Sequence, residues 1–426
     1  MKVIKIILLC IPFILCRQKN FAQDTLKISI EQAEKQFLEK NLQILAERCN
    51  ISIADAAIVQ AKVLNNPTIG LGDVNFWNPN AAAEVDNLPA TFGNNIIFSL
   101  ELEQMIRTAG KRRKGIDVEK AAKEIAIQEF ELFLLGLKTE LRMLLNETIY
   151  LQSYLDVIKI QAESINNLVE VYKVQSAKGN IAKSELIRLQ SSLIELQTEQ
   201  NELLMDLHKQ YKELKILLNL TPETDILITN SVSETKNPNE MSLEQLLEMA
   251  KNSHPEFLLS DLNIKYNEKV LAYEKSQRSP DVAVSLNYDR YGGVWQNFIG
   301  FGIALDIPVF DRNQGNIKIA QLSIEQSQYN AEYQKNVILH EVSESYEHYT
   351  LNYNFYKKLM DNDFSEDLEN LFDAYSRNLL NKNINMLEYI DFMDSYKTTK
   401  QAILIAKKNV DTSFAELQFS VNNSLN

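Results

Sequence analysis

The first side chains in this sequence whose spacing could support chemistry are His340, Glu344 and His348, which fall at i, i+4 and i+8. On a helix they share one face, and imidazole with carboxylate is a donor set for zinc or copper. The plainer reading is a polar stripe along a helix. It is the one adopted here, so no metal ligand and no cofactor is assigned. A second group is acidic: Asp361, Asp363, Glu366, Asp367 and Asp373. These carboxylates either form a solvated helix face or line a watery passage and concentrate cations in it, with Asp373 the leading candidate for the second role. Two turn-rich motifs follow alternating segments, Ala109-Gly110-Lys111-Arg112 and Pro308-Val309-Phe310-Asp311-Arg312-Asn313-Gln314-Gly315. Glycine permits the turn, and Asp or Asn can cap the helix that starts there, so both motifs read as strand-to-helix transitions in preference to a cation site at Asp311. The sequence has no Gly-rich phosphate loop, no His-Glu-x-x-His and no nucleophile elbow, and four scattered histidines offer little general-base chemistry. An enzyme is not expected.

The elements that position these residues begin with a hairpin. Val282, Val284, Leu286 and Tyr288 alternate with Ala283, Ser285, Asn287 and Asp289; after Tyr291-Gly292-Gly293, Ile299, Phe301, Ile303, Leu305 and Ile307 alternate with small or acidic residues. A period of two with unlike faces marks strands, here over about 280–289 and 298–307. Strands of about 10 residues span a bilayer when tilted. A second pair is expected over about 67–75 and 95–104, joined by a surface loop.

Proline is absent between Pro89 and Pro222 and after Pro308, so two long tracts lack the strongest helix breaker. One helix is expected from Ser29 to about Leu64 and another from about Ile116 to Lys178. The return segment keeps Leu186, Leu193, Leu207 and Leu214 in one heptad register and Leu189, Leu196, Leu203 and Leu217 in the other, a coiled-coil seam. The second half replays the first. Ser29-Ile30-Glu31-Gln32 corresponds to Ser242-Leu243-Glu244-Gln245, and after the hairpins Gly179-Asn180-Ile181 corresponds to Lys382-Asn383-Ile384. The organisation is an internal duplication: a first repeat over 24–222, a polar linker over 223–240 and a second repeat over 241–426.

Residues 1–23 read as a secretory leader, with Lys2 and Lys5 before an apolar core from Ile6 to Leu15. Lipidation at Cys16 is the less favoured alternative, because Leu15 precedes it. Without the leader only Cys49 remains, expected to be a packed helix residue. Losing Lys2, Lys5, Arg17 and Lys19 takes the net charge from −13 to −17. That balance makes nucleic acid an improbable partner and suits a lumen that favours cations. Beyond the leader no apolar run reaches the length of a transmembrane helix, so any membrane crossing uses strands. Four strands cannot close a barrel around a lumen, and an open edge in lipid costs several kcal/mol per unpaired backbone group. The chain must then assemble, and three copies supply twelve strands.

The duplicated pattern over roughly 26–422 resembles the TolC family of outer-membrane efflux channels. The 308–315 and 109–112 motifs resemble its heavy-metal cation branch, the outer-membrane component of cobalt-zinc-cadmium type systems. The resemblance implies a mostly helical protein with membrane strands: a homotrimer whose twelve-stranded barrel sits in outer-membrane lipid and continues as a periplasmic helical barrel. It also implies docking to a periplasmic adaptor and an inner-membrane resistance-nodulation-division pump. The aperture and the adaptor contacts would lie at the tip loops, Gly179-Asn180-Ile181 and Lys382-Asn383-Ile384; Lys382 departs from the glycine often found there. Export of drugs or secreted proteins is the sibling reading, and a pore-free periplasmic coiled coil is the rival of another class.

Overall fold

A computed structural model of the chain describes residues 25–75, 97–229, 236–292, 295–360 and 364–422. The expected leader, nearly all of the first hairpin loop, Asp361 and Asp363 lie outside the described residues, as does the side chain of Asp373.

Each half of the chain begins with a broken helical segment. The single helix expected from Ser29 to Leu64 is two, α1 (Ile30–Lys40) and α2 (Leu42–Lys62). The break is at Asn41, which leaves helical geometry at ψ 123°. Its side-chain oxygen accepts from Ile44 N at 3.0 Å and its amide donates to Leu217 O at 2.9 Å, so one buried side chain both caps α2 and ties it to a distant helix end. The second half breaks in the same way at His254, between α5 (Leu243–Ser253) and α6 (Pro255–Gln277).

Strand β1 (Thr25–Ser29) precedes α1 and pairs in parallel with β4 (Asp225–Thr229). The stretch read as a linker, 223–240, thus contains a strand, because Ile226 and Ile228 alternate inward against a core that includes Phe37 and Leu218.

The remaining strands are β2 (Thr68–Asn75), β3 (Ile97–Ile106), β5 (Val282–Gly292) and β6 (Trp295–Leu305). They form one antiparallel sheet in the order β2-β3-β5-β6. Register gives its two faces. Across one run Leu71, Leu100, Tyr288 and Ile299, and beside them Ile69, Leu102, Leu286 and Phe301. Across the other run Gly70, Glu101, Asn287 and Gly300, and beside them Thr68, Glu103, Ser285 and Gly302. Leu71, Phe301 and Ile303 are each more than 60% exposed in the single chain, so the apolar face has no cover among the described residues.

Below the sheet run α3 (Lys111–Ala177), α4 (Lys183–Leu217), α7 (Gln314–Met360), α8 (Phe364–Leu380) and α9 (Met386–Val421). At 67 residues α3 is about 100 Å long. The heptad leucines of α4 meet α3: Leu189, Leu196 and Leu203 share a buried cluster with Ile158, Ile165 and Tyr172. No helix among the described residues is long and apolar enough to cross a membrane. Cys49 corrects an expectation: it is exposed on α2, whose packed positions are instead Ile44 and Ile58.

Candidate functional site

Two regions hold most of the residues singled out by the sequence: the strand-to-helix junctions and the helical tips.

At the first junction Ala109 and Gly110 take left-handed backbone angles, φ 50° and 69°, and Gly110 precedes α3. The turn lets the chain leave β3 and start a helix at once, and at Gly110 it costs little because glycine lacks a Cβ. Lys111 is then buried, only 5% exposed. Its Nζ lies 2.8 Å from Asp281 Oδ1, which also accepts from Thr108 N at 2.9 Å. Burial pushes the Asp281 carboxyl up, but the bonds from Lys111 and Thr108 and the charges of Lys111 and Arg107 outweigh it, so the carboxyl sits below its usual range. Arg112 donates from Nη1 to Lys62 O at 3.1 Å, joining the end of α2 to the start of α3.

The second junction repeats the geometry with other residues. Asn313, at φ 56°, takes the place of Gly110. Asp311 Oδ1 accepts from Asn313 N at 2.9 Å, Gln314 Oε1 accepts from Arg312 N at 2.8 Å, and Asn313 Nδ2 donates to Glu274 Oε2 at 2.6 Å. Gly315 lies in the first turn of α7 with open space around it. Asp311 thus spends an oxygen on the turn itself, as in an Asx-turn.

The tips are also alike. Gly179, at φ 77°, ends α3, with Gly179 N donating to Ser176 O and Asn180 N to Gln175 O. Lys382, at φ 59°, ends α8, with Lys382 N donating to Leu379 O and Asn383 N to Asn378 O. These paired bonds are those of a Schellman cap. Ile181 and Ile384 then turn inward onto the same cluster as Tyr172 and Tyr389. Lys382 therefore keeps the shape of a glycine turn at the cost of backbone strain.

The remaining candidates do not converge. His340 is exposed, and His348 Nε2 stands 3.9 Å from Glu344 Oε1 with both side chains in solvent. Among the described residues no group of three or more His, Cys, Asp or Glu side chains could hold a metal ion. Glu366 and Asp367 are exposed on the first turn of α8, and Asp373 lies further along that helix. Sequence reasoning missed Asp281 and His254. Nothing in the local pattern marks a lone aspartate before a strand as the partner of a lysine in the other repeat. His254 is 1% exposed, with Phe419 edge-on at 6.1 Å, and desolvation lowers its pKa to about 4.

No family model matches the sequence. One stretch of 73 residues is 32% identical to the cobalt-zinc-cadmium resistance protein CzcC of Cupriavidus metallidurans, covering 17% of this chain and 18% of that protein. Similarity of structure is far wider. The chain superposes on the outer-membrane channel CmeC of Campylobacter jejuni with a TM-score of 0.73 at 12% identity, over 92% of this chain and 85% of that one. For CusC, whose structures describe transmembrane channel formation, the TM-score is 0.72 at 13% identity over 93% of both chains. The outer-membrane protein VceC of Vibrio cholerae matches with a TM-score of 0.69 at 13% identity, over 93% of this chain and 97% of that one. The fold of this chain is that of the TolC-family outer-membrane channels.

Proposed function

We propose that three copies of this chain lodge in the outer membrane as the exit duct of a tripartite efflux system. Their twelve strands close a barrel, and their helices continue it as a tunnel into the periplasm. One observation carries this reading: a four-stranded sheet whose apolar face is uncovered and whose edges, β2 and β6, are unpaired among the described residues. In lipid such edges must find partners, and the β6 edge of one copy meets the β2 edge of the next with no strand left over. A pore-free coiled coil would have no use for that sheet. The duct does no chemistry itself. An inner-membrane resistance-nodulation-division pump supplies the energy, and a periplasmic adaptor seats on the tips around Gly179-Asn180-Ile181 and Lys382-Asn383-Ile384.

The cargo we assign is heavy-metal cations. The stretch similar to CzcC supports it, as do the carboxylates of the polar sheet face, Glu101, Glu103 and Asp289. Threefold repetition sets these around the lumen, where a low-dielectric wall focuses their field. A passing ion needs only this weak attraction; Asp373, nearer the tips, adds to it at the entrance. The test is growth of a deletion strain on graded zinc, cobalt, cadmium, copper and silver beside dyes and detergents, with the gene restored as control. Sensitivity confined to metals is the expected result. Sensitivity to dyes and detergents with normal metal tolerance would replace the cargo with drugs while leaving the duct in place.

A further inference from the structure

Helix α2 carries an exposed stripe of Leu45, Cys49, Ser52, Ala56 and Val59, spaced 4, 3, 4, 3. Helix α7 carries Tyr333, Tyr329, Gln326, Leu322 and Ile319, exposed and spaced the same way in the reverse direction. The large apolar members are 44–68% exposed, which is unusual for so many on two helices of one chain. Among the described residues neither stripe has a partner element. α2 turns Ile44 and Ile58 inward, and α7 turns Ala320, Ser327 and Ala331 inward.

The topology says what covers them. Helices α2, α3, α6 and α7 pack side by side in that order, so α2 and α7 are the outermost of the four. They lie below β2 and β6, the two open edges of the sheet. Heights within the chain are fixed by contacts: Lys62 O lies at Arg112, and Asn313 lies at Glu274 near the end of α6. Gly115 of α3 lies against the Tyr273 ring of α6, so the end of α2 and the start of α7 are level; α2 runs up to that level and α7 runs away from it on the same side. A rotation axis along the barrel preserves height.

We propose that α2 of one copy packs antiparallel on α7 of the next in a single register, with Val59 on Ile319, Cys49 on Tyr329 and Leu45 on Tyr333. In this register Ala56 faces Leu322, a small residue against a large one, and the polar pair Ser52 and Gln326 falls at the centre of the seam. Matching heptad spacing, apolar at most positions with one polar layer, is what fixes register in helix seams. The occupant is thus a second copy of this chain. The proposal rests on the trimeric reading given above and adds the residues that set the order of assembly.

The experiment is oxidative cross-linking of Tyr329→Cys against native Cys49 in outer membranes, using copper phenanthroline and a non-reducing gel. A covalent ring of three chains is expected. It should vanish in Tyr329→Cys/Cys49→Ser and should exceed the yield from Leu322→Cys or Asn336→Cys by at least tenfold. Should Tyr329→Cys fail to assemble, Leu45→Cys/Tyr333→Cys in a Cys49→Ser background reads the same register one turn away. Equal or greater linkage from Leu322→Cys or Asn336→Cys, or none from any variant in a protein that still purifies as a trimer, overturns the register alone. A wild-type protein that purifies from detergent as a monomer overturns the trimeric reading beneath it.

Discussion

The Lys111–Asp281 pair offers an asymmetric test of the strand-to-helix junction. Lys111 Nζ and Asp281 Oδ1 are 2.8 Å apart, with side chains 6% and 28% exposed. Asp281→Ala leaves the buried ammonium without its acid and takes the acceptor from Thr108 N. Orphaning a buried charge costs about 3–5 kcal/mol. The partial exposure of Asp281 lets water relieve part of that, so a cost of about 3 kcal/mol is expected. Lys111→Met removes the other partner, but the carboxylate keeps the Thr108 bond and its water, so about 1 kcal/mol is expected. The double variant should cost less than Asp281→Ala alone. The pair also has a definite pH sense. Its acid is depressed in the folded protein, so its contribution is full above the unfolded value of 3.8 and is lost as pH falls below that. The assay is thermal unfolding in detergent followed by circular dichroism at one fixed scan rate, because membrane assemblies unfold irreversibly and midpoints depend on rate. If Lys111→Met proves the more damaging change, or Asp281→Ala is neutral, the buried-cation argument is wrong.

Other outcomes follow from the geometry. Lys382→Gly should raise stability by about 1 kcal/mol, because it relieves a left-handed residue that bears a side chain, whereas Gly179→Ala should lower it by a similar amount; denaturant titration of the two together checks the sign. Asn41→Ala removes both a helix cap and the bond to Leu217 O, and should cost about 2 kcal/mol, visible as earlier melting of the helical signal. His254 has a folded pKa of about 4 against an ordinary 6.5. The unfolded chain thus binds the extra proton in that window: stability is full above 6.5 and falls by up to about 1.4 kcal/mol per unit as pH drops toward 4. His254→Phe should flatten this slope in a pH series of melting curves.

Much of the architecture is legible in the sequence, for reasons that can be named. The strands announce themselves because one face is large and apolar at every second residue, with Phe301 and Ile303 set against Gly300 and Gly302. The tips are readable because a helix end of this kind needs a left-handed residue, and Gly179-Asn180 supplies one; that Lys382 adopts the same turn does not follow from its chemistry. The break at Asn41 is hidden because asparagine is tolerated in helices, and only the distant Leu217 carbonyl makes it a cap. Strand β4 is hidden for a similar reason. Five residues carry too short an alternation, and their partner β1 lies 200 residues earlier. Cys49 is misread because α2 is apolar around much of its circumference, so a single chain cannot say which side is core. The partner of Lys111 is beyond reach because an ion pair between segments so far apart leaves no periodic trace.

The central claim is that the β2-β3-β5-β6 sheet is a piece of membrane-spanning wall with lipid on one side and water on the other. A cysteine scan in intact outer membranes, in a Cys49→Ser background, tests it most directly. Cysteines replacing Leu286, Phe301 and Ile303 should react with a lipid-dissolved maleimide, while those replacing Ser285, Asn287 and Ala304 should react with a charged, water-soluble one, alternating residue by residue. Uniform labelling by the water-soluble reagent along both strands would mean that the sheet never enters a bilayer, and would contradict the account.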